Sequence, residues 1–100
     1  MTTSRYRIRA VNLDGADIPV VSAELAASRD HLGRASWEVR LVIAGPADPP
    51  LQPTMRAVLE NGRSVTGRSI RKDSVLRAGP GGVSTTVLLL GNGPLEGIYL

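Results

Sequence analysis

The chain has no cysteine and no phenylalanine, and its 100 residues include one tryptophan and two tyrosines. The absence of cysteine excludes disulfides and any zinc site with thiolate ligands. With so few aromatic rings, the core must be built from Val, Leu, Ile and Ala side chains. Trp37 is predicted as its largest anchor, and an interface hot spot is the alternative. A small domain of this kind gains stability by burying more surface against a second molecule.

Residues that carry catalytic or metal chemistry are scarce. His31 is the only histidine, which excludes a histidine-rich metal site, and no nucleophile elbow surrounds the nearby Ser28 and Asp30. The glycine-rich segment 79–82 lacks the Lys-Ser/Thr pair that a phosphate-binding loop requires. We therefore expect no enzyme activity, no metal and no cofactor, and we interpret His31 as a solvated loop residue.

Long hydrophobic runs are also missing. Apolar runs such as Val87–Leu90 have the length of a strand and are too short to span a membrane. The first nine residues contain no continuous apolar stretch of the kind found in a secretory signal. The sequence therefore predicts a soluble protein that is made in the cytoplasm and has no membrane partner.

The net charge is +3, and all basic residues except Lys72 are arginines. Arg5, Arg7 and Arg9 are predicted to project from one strand face at intervals of about 6.6 Å, a spacing close to that of successive phosphates in a nucleic acid. No aromatic residue accompanies them on that face to stack on bases. We expect a solvated face or a contact with an acidic protein surface, and nucleic-acid binding is the less favoured alternative.

Strand-type alternation, interrupted by glycine, proline and asparagine turns, dominates the sequence. It is clearest in segment 36–44, and in the first strand Tyr6, Ile8 and Ala10 are predicted to share the buried face. Segment 22–32 fits either a short helix or a strand followed by a polar loop. We predict a single, mainly β domain over residues 1–100, a sandwich or small barrel of six to eight antiparallel strands with at most one short helix.

A hairpin is predicted around Glu60-Asn61-Gly62, and its register can be chosen from the side-chain pattern. A two-residue loop would mix apolar and polar residues on both faces. A three-residue loop with Gly62 in the left-handed conformation places Ala57 opposite Val65 and Met55 opposite Gly67, which segregates the faces better. We predict the second register.

The strand over residues 83–90 is apolar on both faces at its C-terminal end. In a small domain the second apolar face needs a cover, either from segment 22–32 or from a neighbouring subunit. The residues expected to contact a partner are Arg5, Arg7 and Arg9, the mobile tip formed by Gly79, Pro80, Gly81 and Gly82, and Thr85, Val87, Leu88, Leu89 and Leu90.

The C-terminal part of the chain resembles a known family of assembly proteins. Ser64-Val-Thr-Gly-Arg-Ser-Ile70 is followed by a strand, by Gly79-Pro-Gly-Gly82 and by Val83-Ser-Thr-Thr-Val-Leu-Leu-Leu-Gly-Asn-Gly-Pro-Leu95. This succession is similar to the closing portion of the major tail proteins of long-tailed bacteriophages. The resemblance implies a β-sandwich subunit that stacks in rings, with hairpins that pair between neighbours to line a tube.

The resemblance leads us to expect a structural virion protein, a homo-oligomer that also contacts other virion proteins. The chain is short for a tail-tube protein, and an arginine-bearing strand suits a DNA-conducting lumen poorly because cations bind DNA. Capsid decoration and head–tail joining are therefore retained as alternative virion roles. A basic β-barrel that binds nucleic acid through Arg5, Arg7 and Arg9 is the alternative outside the virion.

Overall fold

The computed structural model describes residues 2–98, which form seven antiparallel strands in one sheet and no helix. The spatial order of the strands is β2-β1-β3-β4-β7-β6-β5, and an additional pairing of β1 with β5 makes the sheet nearly close a ring. Residues 2–98 therefore contain no helical segment that could span a bilayer. The strands are β1 (Thr2–Leu13), β2 (Ala16–Ile18), β3 (Val20–Arg29), β4 (Ala35–Ala44), β5 (Thr54–Leu59), β6 (Ser64–Gly79) and β7 (Gly82–Glu96).

The first strand has neighbours on both of its edges, and this closes the ring. One edge pairs with β3 and, further along, with β2, whereas the other edge pairs with β5. A β-bulge between Ile8 and Ala10 lies within the β1–β5 pairing. Because a bulge adds one residue to the strand, Val11 takes the next buried position and Ala10 is exposed. The prediction that Ala10 shares the buried face is therefore wrong.

Segment 22–32 is a strand followed by a turn, so the helical interpretation is wrong. The strand part belongs to β3, which pairs with β1 on one side and with β4 on the other. Leu25 and Ala27 point into the core, and the pairing of both strand edges outweighs the helix propensity of this alanine-rich stretch. The segment is part of the ring and does not lie over β7.

Two other predictions are confirmed. Segment 36–44 lies in β4, with its alternate apolar residues buried. In the β5–β6 hairpin, Met55 pairs with Gly67 and Ala57 pairs with Val65. Gly62 has a φ angle of 89°, in the left-handed region. The turn residues and the segregation of side chains were sufficient to define this register.

Trp37 fills the core between two glycines. Its indole Nε1 donates a hydrogen bond to the Gly93 carbonyl at 2.9 Å, and its side chain is buried. A Cβ atom added to Gly91 would lie near the indole ring, and one added to Gly67 would lie 2.6 Å from Trp37 Cζ2. The two glycines therefore provide the space that the indole ring of Trp37 occupies.

The proline-rich connection from β4 to β5 pairs with β6 just before β5 begins, so it extends the β5–β6 pairing along β6. The Ser69 amide donates to the Pro53 carbonyl at 3.0 Å, and the Arg71 amide donates to the Leu51 carbonyl at 2.8 Å. Arg71 Nη1 also donates to the carboxylate of Asp48 at 2.7 Å. This connection therefore covers the edge of β6 as far as Arg71.

We predict that Gly91→Ala destabilises the protein by about 1–3 kcal/mol, because the added methyl group overlaps the Trp37 ring in a well-packed core. Gly81→Ala is the matched control, since an added Cβ there meets nothing within 4 Å. Urea unfolding followed by tryptophan fluorescence measures both changes. Equal stability of the two variants would contradict the described packing of Trp37.

Candidate assembly surface

The last long strand, β7, divides its apolar residues between the core and the outside of the ring. Val87 and Leu89 are fully buried inside the ring, whereas Leu88 and Leu90 are half-buried on its outer face. Because segment 22–32 lies within the sheet, it does not cover this outer face. Of the apolar residues in β7 that were expected to contact a partner, Leu88 and Leu90 are the ones that a partner could reach.

Thr85 is used within its own chain. Its side chain is 2% exposed, and its hydroxyl donates to the Gly45 carbonyl at 2.9 Å and accepts from the Ala47 amide at 3.0 Å. These two bonds attach the start of the β4–β5 connection to β7. The structure therefore gives Thr85 a structural position and removes it from the candidate contact surface.

An apolar patch runs across the outer face of β4, β7 and β6. In the cross-strand register, Leu90 lies opposite Ile70, and Thr86 lies between Val42 and Val75. Directly opposed residues share a sheet face. Ile70 is 40% exposed and Val75 is 38% exposed. We call this set the outer apolar patch, and it consists of Val42, Ile70, Val75, Leu88 and Leu90.

Beside this patch, the last part of β6 has a neighbouring strand on one of its two edges, and its other edge is unpaired. Residues 73–79 pair with β7, and within residues 2–98 no strand or connection pairs with their other side. We call residues 73–79 the β6 free edge. An unpaired strand edge is a template for another strand, so this edge adds backbone donors and acceptors to the outer apolar patch.

The direction of the backbone groups along the β6 free edge follows from a bond on the far side of β7. The Gly45 amide donates to the Val83 carbonyl at 2.8 Å, so the residues on either side of Val83 direct their backbone groups toward β6. Because the register then alternates, the backbone groups of Ser74, Leu76 and Ala78 point away from β7. In the single chain the Ser74 amide donates to the Asp73 carboxylate at 2.9 Å. A partner strand can bond to the backbone groups of Leu76 and Ala78 and to the Ser74 carbonyl, and at the Ser74 amide it would replace the Asp73 carboxylate.

Two opposite charges flank Val75 on the β6 free edge. Asp73 and Arg77 lie two residues before and after Val75 and are exposed, and alternation places all three side chains on the outer face. A β-bulge between Arg71 and Asp73 contains Lys72. Bulges and lysines commonly prevent edge pairing, so these features end the pairable edge at Asp73.

The glycine-rich tip closes the hairpin between β6 and β7. Gly79 pairs with Gly82, which leaves Pro80 and Gly81 as a two-residue loop. All four residues are exposed, and Gly82 has a φ angle of 107° that favours glycine. The tip is therefore exposed to solvent, and its contact with a partner stays a prediction.

The arginine-bearing strand lies in a surface of mixed charge. Arg5, Arg7 and Arg9 are all exposed. Arg5 Nη1 contacts Glu24 Oε1 at 2.8 Å, and Glu24 is also the cross-strand partner of Arg7. A groove of ≈ 510 Å³ beside this strand is lined by basic and acidic residues together, among them Arg40. Interleaved acidic groups weaken the attraction of this surface for phosphates.

The loop that contains His31 is organised by a carboxylate. Asp30 accepts hydrogen bonds from the backbone amides of Arg34 and Leu32, both at 2.9 Å, and from Arg34 Nε at 2.8 Å. These bonds, chiefly that from the Arg34 amide, hold the pKa of Asp30 below its ordinary value. His31 itself is exposed, and residues 2–98 contain no cluster of His, Asp and Glu that could hold a metal ion.

Several residues of the candidate surface were not identified from the sequence. The pattern of segment 36–44 places the apolar Val42 on the polar side of its strand, but it does not show that Val42 lies beside β7. A signal in the sequence could have identified the segment that contains Ile70, Asp73, Val75 and Arg77. Val75 and Leu76 make this strand apolar on both faces next to a flexible tip. The sequence does not show that one edge of the strand lacks a neighbour, which becomes visible only in the topology of the folded sheet.

Comparison of the chain with protein-family models, with curated proteins and with solved structures gives no match.

We predict that Thr85→Val destabilises the protein by about 1–3 kcal/mol, because it leaves the Gly45 carbonyl and the Ala47 amide without their partner. The same change at the neighbouring Thr86, which is half-buried on the outer face, is expected to have an effect within about 0.5 kcal/mol. Urea unfolding measures both. A larger loss for Thr86→Val than for Thr85→Val would contradict the assigned sides of β7.

Proposed function

We propose that this protein is a structural subunit that works by self-assembly, and that the assembly is part of the virion of a long-tailed bacteriophage. The observation that carries the proposal is the outer apolar patch, which lies directly beside the β6 free edge. The patch offers apolar surface and the edge offers backbone hydrogen bonds. A second protein molecule can satisfy both at once.

The continuity of the patch supports assembly more strongly than the exposure of its separate residues. Single exposed apolar side chains are normal in soluble proteins, whereas contiguous ones mark sites of association. Here Ile70 lies opposite Leu90, and Leu88 lies on the same face of β7. The small aromatic content of the core gives the same expectation, since association adds buried surface to a domain with few large side chains.

The virion assignment rests on the resemblance of the C-terminal strands and turns to tail-tube proteins. Capsid decoration and head–tail joining use the same property, a β subunit that binds a neighbouring protein, and they remain alternatives within the proposal. On any of these roles the protein acts by binding and carries out no reaction.

Nucleic-acid binding is not favoured, because Glu24 pairs with Arg5 and lies opposite Arg7. A binding surface for phosphates would concentrate positive charge. Titration of labelled oligonucleotides at low salt separates the two functions. Tight binding that weakens steeply with salt would replace the proposed function with the nucleic-acid one, whereas flat binding curves support the proposed function.

We predict that the purified protein sediments as an oligomer in the micromolar range, and that Ile70→Ser weakens its self-association by about ten-fold, because the change removes apolar surface from the patch. Leu32→Ser is the matched control, since Leu32 is 66% exposed in the loop after β3 and lies outside the patch. Sedimentation velocity over a concentration series measures both, and circular dichroism confirms that the variants are folded.

Electron microscopy of concentrated protein provides the second readout, with rings, tubes or regular clusters expected. A wild-type protein that remains a monomer throughout the concentration series would overturn the proposed self-assembly. So would equal effects of Ile70→Ser and Leu32→Ser on association.

A further inference from the structure

We propose that the β6 free edge binds the same edge of a second copy of this chain, in antiparallel orientation, about a two-fold axis that passes beside Val75. The inference rests on the proposed function in one respect, namely that the chain associates with itself. It goes further by naming the strand, its register and the symmetry of the contact. A contact of this kind uses the same surface on both partners and by itself joins two subunits, so rings or tubes would be built from such dimers through a second contact.

The backbone restricts which registers are allowed. Ser74, Leu76 and Ala78 direct their amides and carbonyls toward the partner, whereas the residues between them are bonded to β7. Outward-directed residues must therefore lie opposite outward-directed residues. Three two-fold registers near the middle of the edge satisfy this condition, and they are centred on Ser74, on Val75 or on Leu76.

Charge complementarity selects the register centred on Val75. In that register Asp73 of each copy lies opposite Arg77 of the other, so that two oppositely charged pairs flank a central valine pair. Centring on Ser74 would instead oppose Val75 to Asp73 and would bring Arg77 toward Arg71, which lies beyond the bulge and is already paired with Asp48. Centring on Leu76 would oppose Arg77 to Val75. Opposite charges across strands stabilise a pair of strands, and like charges destabilise it.

The length of the available edge agrees with the same register. The proline-rich connection covers β6 up to Arg71, the bulge occupies Lys72, and the strand ends at Gly79. With a two-fold axis beside Val75, residues 73–77 of one copy pair with residues 77–73 of the other. This pairing uses no residue outside the unpaired stretch 73–79. Ser74 and Leu76 would then form two hydrogen-bonded pairs, with about four intermolecular hydrogen bonds in total. Two of these replace the bond that each Ser74 amide makes to its own Asp73 carboxylate.

The pairing also joins the two outer apolar patches. Asp73, Val75 and Arg77 share the outer face with Leu88 and Leu90, so the two Val75 side chains would meet between the two patches. The central valines lose their exposure to water, and the charged pairs stay at the rim. Apolar contact at the centre with charges outside it is the usual arrangement of a specific protein interface.

Single-cysteine variants test the register directly, because the natural chain contains no cysteine. In the proposed dimer the two copies of residue 75 are a non-hydrogen-bonded pair with Cα atoms about 4.5 Å apart, which a disulfide can bridge. The two copies of residue 74, or of residue 76, would be about 8 Å apart, which is too far. Ser74→Cys, Val75→Cys and Leu76→Cys therefore report the three registers separately.

We expect Val75→Cys to give mostly covalent dimer in a glutathione redox buffer, read on a non-reducing gel, and the other two variants to give several-fold less. Preferential cross-linking of Ser74→Cys or Leu76→Cys would overturn the register. If no variant cross-links above the level of Leu32→Cys while the wild-type protein still sediments as an oligomer, the edge pairing is overturned and the proposed function stands. A monomeric wild-type protein would overturn both.

A charge exchange provides the second test. Asp73→Arg and Arg77→Asp are each expected to weaken the dimer by about five- to ten-fold, because each puts like charges opposite each other twice in the dimer. The double variant Asp73→Arg/Arg77→Asp restores opposite pairs and is expected to return within about two-fold of wild type. Failure of the double variant to recover, with all variants folded, would contradict the Asp73–Arg77 pairing.

Discussion

The pairing of β1 with both β3 and β5 is the interaction on which the rest of the structure depends. Because β1 pairs with β3 and β2 on one edge and with β5 on the other, the sheet can curve back on itself and enclose a core without a second layer. The bulge between Ile8 and Ala10 lies within the β1–β5 pairing. Without the β1–β5 pairing, both strands would expose unpaired edges and the core side chains would lie on an open sheet.

Closure of the ring is incomplete at one place, and this place has the surface that we connect with function. β6 is longer than β5, so within residues 2–98 the second half of β6 is paired with β7 on one edge and with no strand on the other. The connection from β4 covers β6 as far as Arg71 and then leaves it. The same region bears the exposed Val75 and borders the half-buried Leu88 and Leu90. Unpaired backbone and uncovered apolar surface therefore coincide.

The sequence predicted those features that depend on local chemistry. Alternation in segment 36–44 and the Asn61-Gly62 turn were sufficient for β4 and for the β5–β6 register, because both signals act over a few residues. The side of Ala10 and the identity of segment 22–32 depended on a bulge and on two strand partners distant in sequence, which no local pattern contains. For the candidate surface, β7 was identified as apolar on both faces, but the missing neighbour of β6 is a property of the completed sheet.

Hydrogen–deuterium exchange of the single backbone amides, measured by NMR at several protein concentrations, tests most directly whether the β6 edge acquires a partner strand. The account predicts that the amide of Leu76 exchanges fast in dilute solution, where the amide of Ser74 is bonded to the Asp73 carboxylate, and that both become more protected as the concentration rises. The amides of Val75 and Arg77, which are already bonded to β7, should change much less. Exchange at Ser74 and Leu76 that does not depend on concentration would contradict the account.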